Sequence, residues 1–291
     1  MISSKTSFLA LIGNPIEHSY SPIMHNAVLK YLDIDWVYLA LPCKNEDFDI
    51  VINALKKLNC KGINITIPFK EKVFELCSEI SPIAKKVGAI NTLKLNSKGE
   101  WIGTNTDVEG FISPLKKYNL AGKESIVLGS GGAARAVLQG LINLNFSKIS
   151  IISRNNNSLK KLMSDFESDG NIKGFLADEI NSLDMIDKPD LIINTTPVGM
   201  ENFAISQDLL PFGNGFWKGI QSHTIVYDLI YNPSHTSLLK YSQSKGCTII
   251  GGKEMLIAQG AKSLSYWTNG LKIPIEVMNE ALDKHMQNSI H

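Results

Sequence analysis

The residues of this chain that point most directly to chemistry form a glycine-rich turn between an apolar run and a helix-forming run. The apolar run from Ser125 to Leu128 is followed by Gly129-Ser130-Gly131-Gly132. The residues from Ala133 to Leu144 then favour a helix. In a strand–turn–helix unit of this type, small residues let the backbone approach a pyrophosphate, and the helix N-terminus offers free N–H groups. The turn therefore predicts a dinucleotide site, although glycine-rich turns also end ordinary strands.

The residues at the end of the next apolar run indicate whether the dinucleotide is NAD or NADP. Lys148 to Ser153 reads as a buried parallel strand, and Arg154 and Asn155 follow it. Sites of this type place an acidic residue in this region when they bind NAD, whereas a guanidinium can bind the additional phosphate of NADP. Arg154 therefore indicates NADP; the alternative interpretation is a solvated surface cation.

Two serines precede a predicted helix near the start of the chain. Hydroxyl and N–H groups at a helix start can bind a carboxylate, and Ser19 and Ser21 stand at such a place. Ser21 followed by Pro22 is also an ordinary helix start, so capping alone explains Ser21 but leaves Ser19 unexplained.

Lys70 and Asp107 are the charged groups that suggest proton transfer. Lys70 follows the apolar alternation Ile63, Ile65, Ile67 and its stop at Pro68, and Asp107 ends the polar stretch after Gly103. A carboxylate paired with a lysine can help a hydroxyl to gain or lose its proton. Taken alone, Lys70 reads more simply as a surface lysine, and Asp107 as a first-turn acid of the next helix.

Other polar residues remain open to both interpretations. Asn91 and Gln259 are neutral amides that can hydrogen-bond a polyol, and surface solvation explains them equally well. His18 and His25 are interpreted as structural, because a lone histidine near a loop is more often structural than catalytic.

Two series of alternating strands and helices must position these groups. In the first series, strands are predicted at 7–12, 36–41, 63–67, 90–95 and 101–102, with helices beginning at Pro22, Phe48 and Lys70. A helix is then expected from Val108 toward Tyr118, with Pro114 weakening its middle. In the second series, strands at 125–128, 148–153, 190–194 and 224–228 alternate with helical runs and imply a parallel sheet. A mobile, irregular loop is predicted at 201–222.

The last part of the chain is too short to fold alone. A short strand is predicted at 247–250, and the two helices after Gly252 total about 40 residues, too few for a domain. We expect them to pack on the first series, which makes the first domain discontinuous and leaves a cleft between the halves.

Composition excludes several classes of function. The 291 residues are 44% hydrophobic and 20% charged, which is typical of an ordinary globular protein. The formal net charge of +1 gives no electrostatic reason to expect binding to nucleic acid or to an anionic membrane. Cys43, Cys60, Cys77 and Cys247 form no C-x-x-C pair, so we expect no metal site and no disulfide framework. With no signal peptide and no apolar run of about 20 residues, a cytoplasmic location is expected.

Read together, these segments resemble the shikimate dehydrogenase family over the whole chain. Seven ordered motifs carry the resemblance: Gly13-Asn14-Pro15 with His18-Ser19-Tyr20-Ser21-Pro22-Ile23-Met24-His25-Asn26; Asn64-Ile65-Thr66-Ile67-Pro68-Phe69-Lys70; Gly88-Ala89-Ile90-Asn91-Thr92-Leu93; Gly103-Thr104-Asn105-Thr106-Asp107; Asn194-Thr195-Thr196-Pro197-Val198-Gly199-Met200; Tyr227-Asp228-Leu229-Ile230-Tyr231-Asn232-Pro233; and Gly251-Gly252 with Met255, Gln259 and Gly260. Such a series is far more specific than one glycine-rich turn.

The resemblance implies an α/β fold with a discontinuous substrate domain, residues 1–107 and 252–291, and a Rossmann-like NADP domain, residues 108–251. It implies reversible reduction of 3-dehydroshikimate to shikimate with NADPH and without a metal. Lys70 and Asp107 would be the catalytic pair. The implied substrate-binding residues are Ser19, Ser21, Asn64, Thr66, Lys70, Asn91, Asp107, Tyr231 and Gln259. The implied cofactor-binding residues are Gly129, Ser130, Gly131, Gly132, Ala133, Ser153, Arg154, Asn155, Thr195, Pro197, Leu229, Gly252 and Met255.

Two departures from the family and two other interpretations remain. Thr104 stands where members often have an acid, and Ser153-Arg154-Asn155 replaces the usual Asn-Arg-Thr, which leaves the strength of the NADP preference open. A quinate dehydrogenase is the nearest alternative, against which Ser21 and Arg154 both argue. A non-catalytic NADP-sensing regulator would lack the equivalents of Lys70 or Asp107. The helices at 22–32 and 274–288 offer surfaces for a homodimer, and ordinary packing explains them as well.

Overall fold

The computed structural model describes residues 2–58, 60–168, 171–180, 189–200 and 220–288. The chain forms two compact units, Met1–Gly110 with Ile257–His291 and Phe111–Leu256. Residues 201–219 of the irregular loop predicted at 201–222 lie outside the described residues.

The first unit is built on a mixed six-stranded sheet in the order β2-β1-β3-β5-β6-β4. Its strands are β1 (Ser7–Gly13), β2 (Trp36–Pro42), β3 (Gly62–Ile65), β4 (Glu79–Ile80), β5 (Thr92–Leu95) and β6 (Trp101–Thr104). β1 runs parallel to β2 and β3, while β5 runs antiparallel to β3 and β6. The predicted strand at 63–67 is too long: β3 ends at Ile65, because a turn closed by the N–H of Phe69 on the carbonyl of Thr66 begins there.

The helices of this unit cover an apolar core and are shorter than predicted in two places. They are α1 (Ser21–Tyr31), α2 (Phe48–Lys57), α3 (Pro82–Val87) and α4 (Asp107–Ile112). The predicted helix start at Lys70 is instead a 3-10 turn at Lys72–Leu76. The predicted helix from Val108 to Tyr118 ends at Ile112 and continues as a 3-10 turn, because Pro114 has no N–H to donate.

The second unit contains a six-stranded sheet in which every strand is parallel to its neighbours. Its strands are β7 (Glu124–Leu128), β8 (Lys148–Ser153), β9 (Ile172–Leu176), β10 (Leu191–Asn194), β11 (Ile225–Asp228) and β12 (Thr248–Ile250). The order β9-β8-β7-β10-β11-β12 is that of a doubly wound dinucleotide-binding fold, and it reverses between β7 and β10. Sequence reasoning missed the edge strand β9, because Lys173 and Gly174 interrupt its apolar pattern.

Helices cover both faces of this sheet. They are α5 (Gly132–Asn143), α6 (Asn156–Asp165), α7 (Ala177–Ile180) and α8 (Ser237–Ser244). Side chains of α5 and α6 pack on one face, and those of α8 pack on the other. The predicted α/β fold with two separate sheets is therefore confirmed.

Among the described residues, none of the helices combines the length and apolar character that spanning a bilayer requires.

The C-terminal helices α9 (Gly252–Trp267) and α10 (Ile275–Asn288) complete the chain, and residues from Ile257 onward belong to the first unit. The indole Nε1 of Trp267 donates to the carbonyl of Leu93 on β5 at 2.8 Å. The ring occupies the space beside Gly62, where a Cβ would lie 2.1 Å from Nε1. A glycine at this position of β3 therefore makes the docking of α9 possible.

We expect Gly62→Ala to destabilise the protein by about 1–3 kcal/mol, because the new methyl group would overlap a rigid ring in a packed interior. Gly103→Ala is the matched control in the same sheet, since its nearest obstacle is the Cδ1 atom of Ile90, the far end of a flexible side chain. Thermal unfolding should show the larger loss for Gly62→Ala. Equal losses for the two variants would contradict the proposed role of Gly62.

Candidate active site

Lys70 and Asp107 come together in the first unit as an ion pair. Lys70 follows the turn after β3, and Asp107 is the first residue of α4. The distance from Lys70 Nζ to Asp107 Oδ2 is 2.6 Å, and the side chains are only 18% and 10% exposed. The backbone carbonyl of Lys70 accepts the N–H of Ile90 at 2.8 Å, which fixes the start of the lysine side chain. A paired ammonium with partial access to solvent can exchange a proton with a bound hydroxyl.

The second oxygen of the Asp107 carboxylate is held by an amide. Asn91 Nδ2 donates to Asp107 Oδ1 at 2.8 Å and to Thr106 Oγ1 at 2.9 Å, and Asn91 Oδ1 accepts the backbone N–H of Thr106 at 2.8 Å. The side chain of Asn105 accepts the N–H of Asp107 at 3.0 Å, which supports the start of α4. The carboxylate therefore has an ammonium on one oxygen and an amide on the other, and its orientation is fixed.

Asn64 lies beside this pair at the centre of a buried polar network. Its Oδ1 accepts the hydroxyl of Tyr38 at 2.8 Å, and its Nδ2 lies 3.1 Å from both the carbonyl of Asn91 and Thr92 Oγ1. Thr66 follows β3 and is half-buried, with its N–H donated to the carbonyl of Ile12. β3 and β5 thus bring Asn64 and Asn91 together across adjacent strands.

The start of α1 differs from the predicted helix cap. The capping position falls on Tyr20, whose side chain makes no capping hydrogen bond, so the interpretation of Ser21 as the cap is wrong. The N–H of Ser21 instead donates to Ser19 Oγ at 3.3 Å. The side chains of Ser19 and Ser21 therefore lie beside a helix N-terminus whose capping residue makes no side-chain hydrogen bond, and such a place suits a carboxylate.

Gln259 and Tyr231, the remaining predicted substrate residues, fall in different units. Gln259 is half-buried on the part of α9 that belongs to the first unit. Tyr231 is half-buried in the second unit, three residues after β11.

Sequence reasoning missed four hydroxyl side chains in the buried network, Tyr38, Thr92, Thr106 and Ser263. Each is at most 2% exposed, and each contacts Asn64, Asn91 or another of the four. Thr92 and Thr106 stand within quoted motifs, whereas no local pattern marks Tyr38 or Ser263. His25 is fully buried and stacks on the Tyr38 ring with centroids 4.3 Å apart, and burial lowers its pKa to about 3, so it is neutral.

The glycine-rich turn of the second unit follows β7 at the point where the strand order reverses. Gly129 has a φ of 109°, and a Cβ there would lie 2.6 Å from Thr195 Oγ1 at the end of β10. Gly131 caps α5 without a side-chain hydrogen bond, and a Cβ on Gly131 or Gly132 would meet no described atom within 4 Å. Uncapped N–H groups facing open space fit a pyrophosphate, so this turn suits a dinucleotide.

The loop after β8 connects to the same turn. Ser130 Oγ lies 2.7 Å from Ser153 Oγ and 2.6 Å from Ser158 Oγ, and Asn155 Oδ1 caps α6 by accepting the N–H of Ser158 at 3.0 Å. Arg154 is exposed and has no hydrogen-bond or ion-pair partner among the residues that the structure describes. Its guanidinium is therefore available to an anion beside the glycine-rich turn.

Asp228, at the end of β11, holds the loops that carry Thr195, Pro197 and Leu229. Its carboxylate accepts Thr236 Oγ1 at 2.6 Å, Asn194 Nδ2 at 3.0 Å and the N–H of Ile230 at 3.1 Å. Burial raises the pKa of this carboxyl from 3.8 to about 6, and the three hydrogen bonds only partly offset burial.

Gly252 and Met255 lie at the start of α9, in the second unit. Gly252 packs so closely that a Cβ would lie 2.1 Å from the carbonyl oxygen of Leu229, and Met255 belongs to the apolar core of this unit. Among the described residues, no group of three His, Cys, Asp or Glu side chains could hold a metal ion.

Comparison with known proteins identifies the family. The model of the shikimate dehydrogenase substrate binding domain matches residues 11–93, and that of the shikimate 5'-dehydrogenase C-terminal domain matches residues 252–282. Shikimate dehydrogenase (NADP(+)) of Prochlorococcus marinus subsp. pastoris (strain CCMP1986 / NIES-2087 / MED4) is 64% identical over 98% of this chain and 100% of its own. The chain belongs to the shikimate dehydrogenase family. The predictions of an oxidoreductase and of NADP as its cofactor are likewise confirmed.

Solved structures of the shikimate dehydrogenase family share the whole fold. The shikimate 5-dehydrogenase of Thermus thermophilus, in complex with NADP(H) and shikimate, has a TM-score of 0.81, 28% identity and coverage of 96% of this chain and 99% of its own. Quinate dehydrogenase from Corynebacterium glutamicum, in complex with NAD, has a TM-score of 0.85, 27% identity and the same coverage. The fold therefore does not separate shikimate from quinate activity, whereas the 64% identical relative carries the NADP-linked shikimate name.

The Asp228 carboxyl predicts a pH dependence of stability. The pKa of this carboxyl is about 6 in the folded protein, and its ordinary value is 3.8. The folded state therefore binds the carboxyl proton more tightly than the unfolded state does. The associated stabilisation is complete below pH 3.8 and is lost as the pH rises through about 6. A shift of about two pKa units corresponds to ~3 kcal/mol.

The test compares the protein with Asp228→Asn, which cannot titrate at this position. Urea unfolding at several pH values between about 4 and 7 should show the free energy of unfolding of the unsubstituted protein falling relative to that of the variant as the pH rises. Parallel curves over this range would contradict the assignment.

Proposed function

We propose that this chain catalyses the reversible reduction of 3-dehydroshikimate to shikimate with NADPH, as the names of its relatives indicate. The observation that carries the proposal is the mostly buried Lys70–Asp107 pair, with Nζ and Oδ2 2.6 Å apart. Reduction of a ring ketone creates negative charge on its oxygen, and this pair supplies a cation and a proton for it. A non-catalytic NADP sensor would have no need for such a pair.

In the proposed reaction, Lys70 stabilises the developing charge on the carbonyl oxygen and delivers or relays a proton to it. Asp107 orients the ammonium, and Asn91 orients Asp107. In the reverse direction the pair removes the proton of the hydroxyl group. Bound NADPH supplies the hydride, and the proposed residues require no metal.

The proposed substrate contacts follow the chemistry of shikimate, a carboxylate on a ring with three hydroxyls. Ser19 and Ser21 would bind the carboxylate at the start of α1, where the helix has no side-chain cap. The remaining groups are hydroxyls, amides and the catalytic pair, which match the ring hydroxyls. They are Asn64, Thr66, Lys70, Asn91, Asp107 and Gln259, with Tyr231 proposed to lie near the substrate.

The proposed cofactor contacts fall on the ends of adjacent parallel strands. The turn after β7 would bind the pyrophosphate, and the loop after β8 would bind the 2'-phosphate through Arg154. The full proposed set is Gly129, Ser130, Gly131, Gly132, Ala133, Ser153, Arg154, Asn155, Thr195, Pro197, Leu229, Gly252 and Met255. Of these, Gly252 and Met255 would lie near the nicotinamide.

We propose that residues 1–107 with 252–291 serve as the substrate domain and 108–251 as the NADP domain. Cytoplasm is the proposed location, since Cys43, Cys60, Cys77 and Cys247 are free thiols, as is typical of a reducing compartment. A homodimer, a cleft between the domains and the strength of the NADP preference stay predictions.

Lys70→Ala should lower kcat by about 10³-fold while changing the KM for shikimate far less, because it removes an acid–base group. Lys72→Ala is the control: it removes a lysine two positions away, whose 3.6 Å ion pair with Asp49 is largely exposed, and it should leave kcat unchanged. Steady-state kinetics in both directions make the comparison. Unchanged kcat with a raised KM would reject the catalytic role of Lys70.

Arg154→Ala should lower kcat/KM for NADP by about 10- to 100-fold and leave the value for NAD nearly unchanged, because one charge-assisted phosphate contact is lost. Lys160→Ala, which removes an exposed cation of α6, is the matched control. Initial rates with each cofactor on shikimate and on quinate provide the readout. An equal loss with NADP and NAD would show that Arg154 does not bind the 2'-phosphate.

A further inference from the structure

Ser263 is a fully buried hydroxyl of α9 at which several groups of the buried polar network meet. Its Oγ lies 3.1 Å from Asn64 Nδ2, 2.9 Å from Thr92 Oγ1 and 3.0 Å from Thr106 Oγ1. The three neighbours belong to β3, β5 and the segment just after β6. One side chain of a C-terminal helix thus contacts the ends of three strands of the sheet.

The chemistry of an amide fixes the direction of one of these hydrogen bonds. A side-chain amide nitrogen can only donate, so Ser263 Oγ accepts from Asn64 Nδ2. The Ser263 hydroxyl proton is within reach of the carbonyl of Gln259, one turn earlier on α9, at 3.0 Å. In the contacts of Ser263 with Thr92 and Thr106, either hydroxyl can be the donor. Ser263 is therefore an acceptor for Asn64 and a hydrogen-bonding neighbour of both threonines.

Asn64 and Thr106 are both connected to the proposed site. Asn64 is a proposed substrate residue, and Thr106 directly precedes Asp107 and shares Asn91 with it. The polar side chains that meet at Ser263, and Asn91 and Asp107 beyond them, are at most 7% exposed, so water is not a ready substitute for a lost partner. A change at Ser263 is consequently transmitted to the amide of Asn64 and to the segment that carries Asp107.

We propose that Ser263 is a positioning residue, which fixes the Asn64 amide and the Thr106–Asp107 segment to α9 without contacting substrate. The proposal rests on the proposed function, since it concerns the same site. A residue with this role affects both substrate binding, through Asn64, and turnover, through Asp107. A residue that only fills space would affect stability alone.

Ser263→Ala tests the proposal, and Ser242→Ala is its matched control. Ser242 is also a fully buried helical serine whose hydroxyl donates to the carbonyl four residues earlier, that of Leu238, at 2.8 Å. It lies on α8 in the second unit. The two variants therefore lose the same local hydrogen bond, and Ser263→Ala also leaves the buried Asn64 amide without one partner, so its thermal unfolding temperature should fall further.

The kinetic result expected for Ser263→Ala is a kcat about tenfold lower and a KM for shikimate several-fold higher, from the loss of one shared buried hydrogen bond. The KM for NADP should stay within about twofold of the original value, and Ser242→Ala should keep all three parameters. Ser263→Ala with unchanged kcat and unchanged KM for shikimate would overturn the proposal.

A second variant keeps the test decisive if Ser263→Ala does not fold. Ser263→Cys fills nearly the same space with a thiol, which is a weak hydrogen-bond acceptor for the Asn64 amide. If Ser263 positions Asn64, this variant should raise the KM for shikimate about fivefold. An unchanged kcat and KM for shikimate in Ser263→Cys would overturn the proposal.

Assays of the unsubstituted protein separate this proposal from the proposed function. If that protein does not oxidise shikimate with NADP, the function itself is wrong. If it does so and the Ser263 variants match it, only the positioning role is wrong.

Discussion

The ion pair between Lys70 and Asp107 is the interaction on which the first unit depends for its chemistry. Removing two charges from water is costly, and their attraction compensates only when the remaining hydrogen-bonding capacity is also used. Asn91 meets this requirement by donating to Asp107 Oδ1, the carboxylate oxygen that is not paired with the ammonium. Asn91 in turn is held by Thr92 and Thr106. The polar network behind the pair is thus what makes a mostly buried ion pair tenable.

The second unit meets a different requirement with backbone groups. A pyrophosphate needs N–H donors and close approach, and the turn after β7 offers both, because Gly131 and Gly132 have open space where a Cβ would stand. Within the proposed set of cofactor residues, Arg154 is the only charged one, and its charge would favour NADP, with its additional phosphate, over NAD. The strand order, which reverses between β7 and β10, determines where this turn lies.

The sequence could predict both sheets and the glycine-rich turn, because periodicity and short motifs are local signals. The pairing of Lys70 with Asp107 could be predicted through the family resemblance. Ser263 and Tyr38 could not be predicted, because their partners are distant in sequence: Asn64 is separated from Ser263 by 199 positions and from Tyr38 by 26. The strand β9 was missed because Lys173 and Gly174 interrupt its apolar pattern. The cap of α1 was misjudged because the helix begins at Ser21 itself, so the sequence pattern was read one position too late.

The two buried aspartates Asp107 and Asp228 differ in their partners. Asp107 is the first residue of α4 and Asp228 is the last residue of β11, and each accepts a hydrogen bond from an asparagine amide. Among the residues that the structure describes, Asp228 accepts only from neutral donors, and burial raises its pKa to about 6. Asp107 has the ammonium of Lys70 at 2.6 Å as well. Neutral hydrogen bonds compensate the burial of the Asp228 carboxylate only in part. The carboxylate with the ammonium is therefore suited to assist proton transfer, and the other is suited to hold two loops in place.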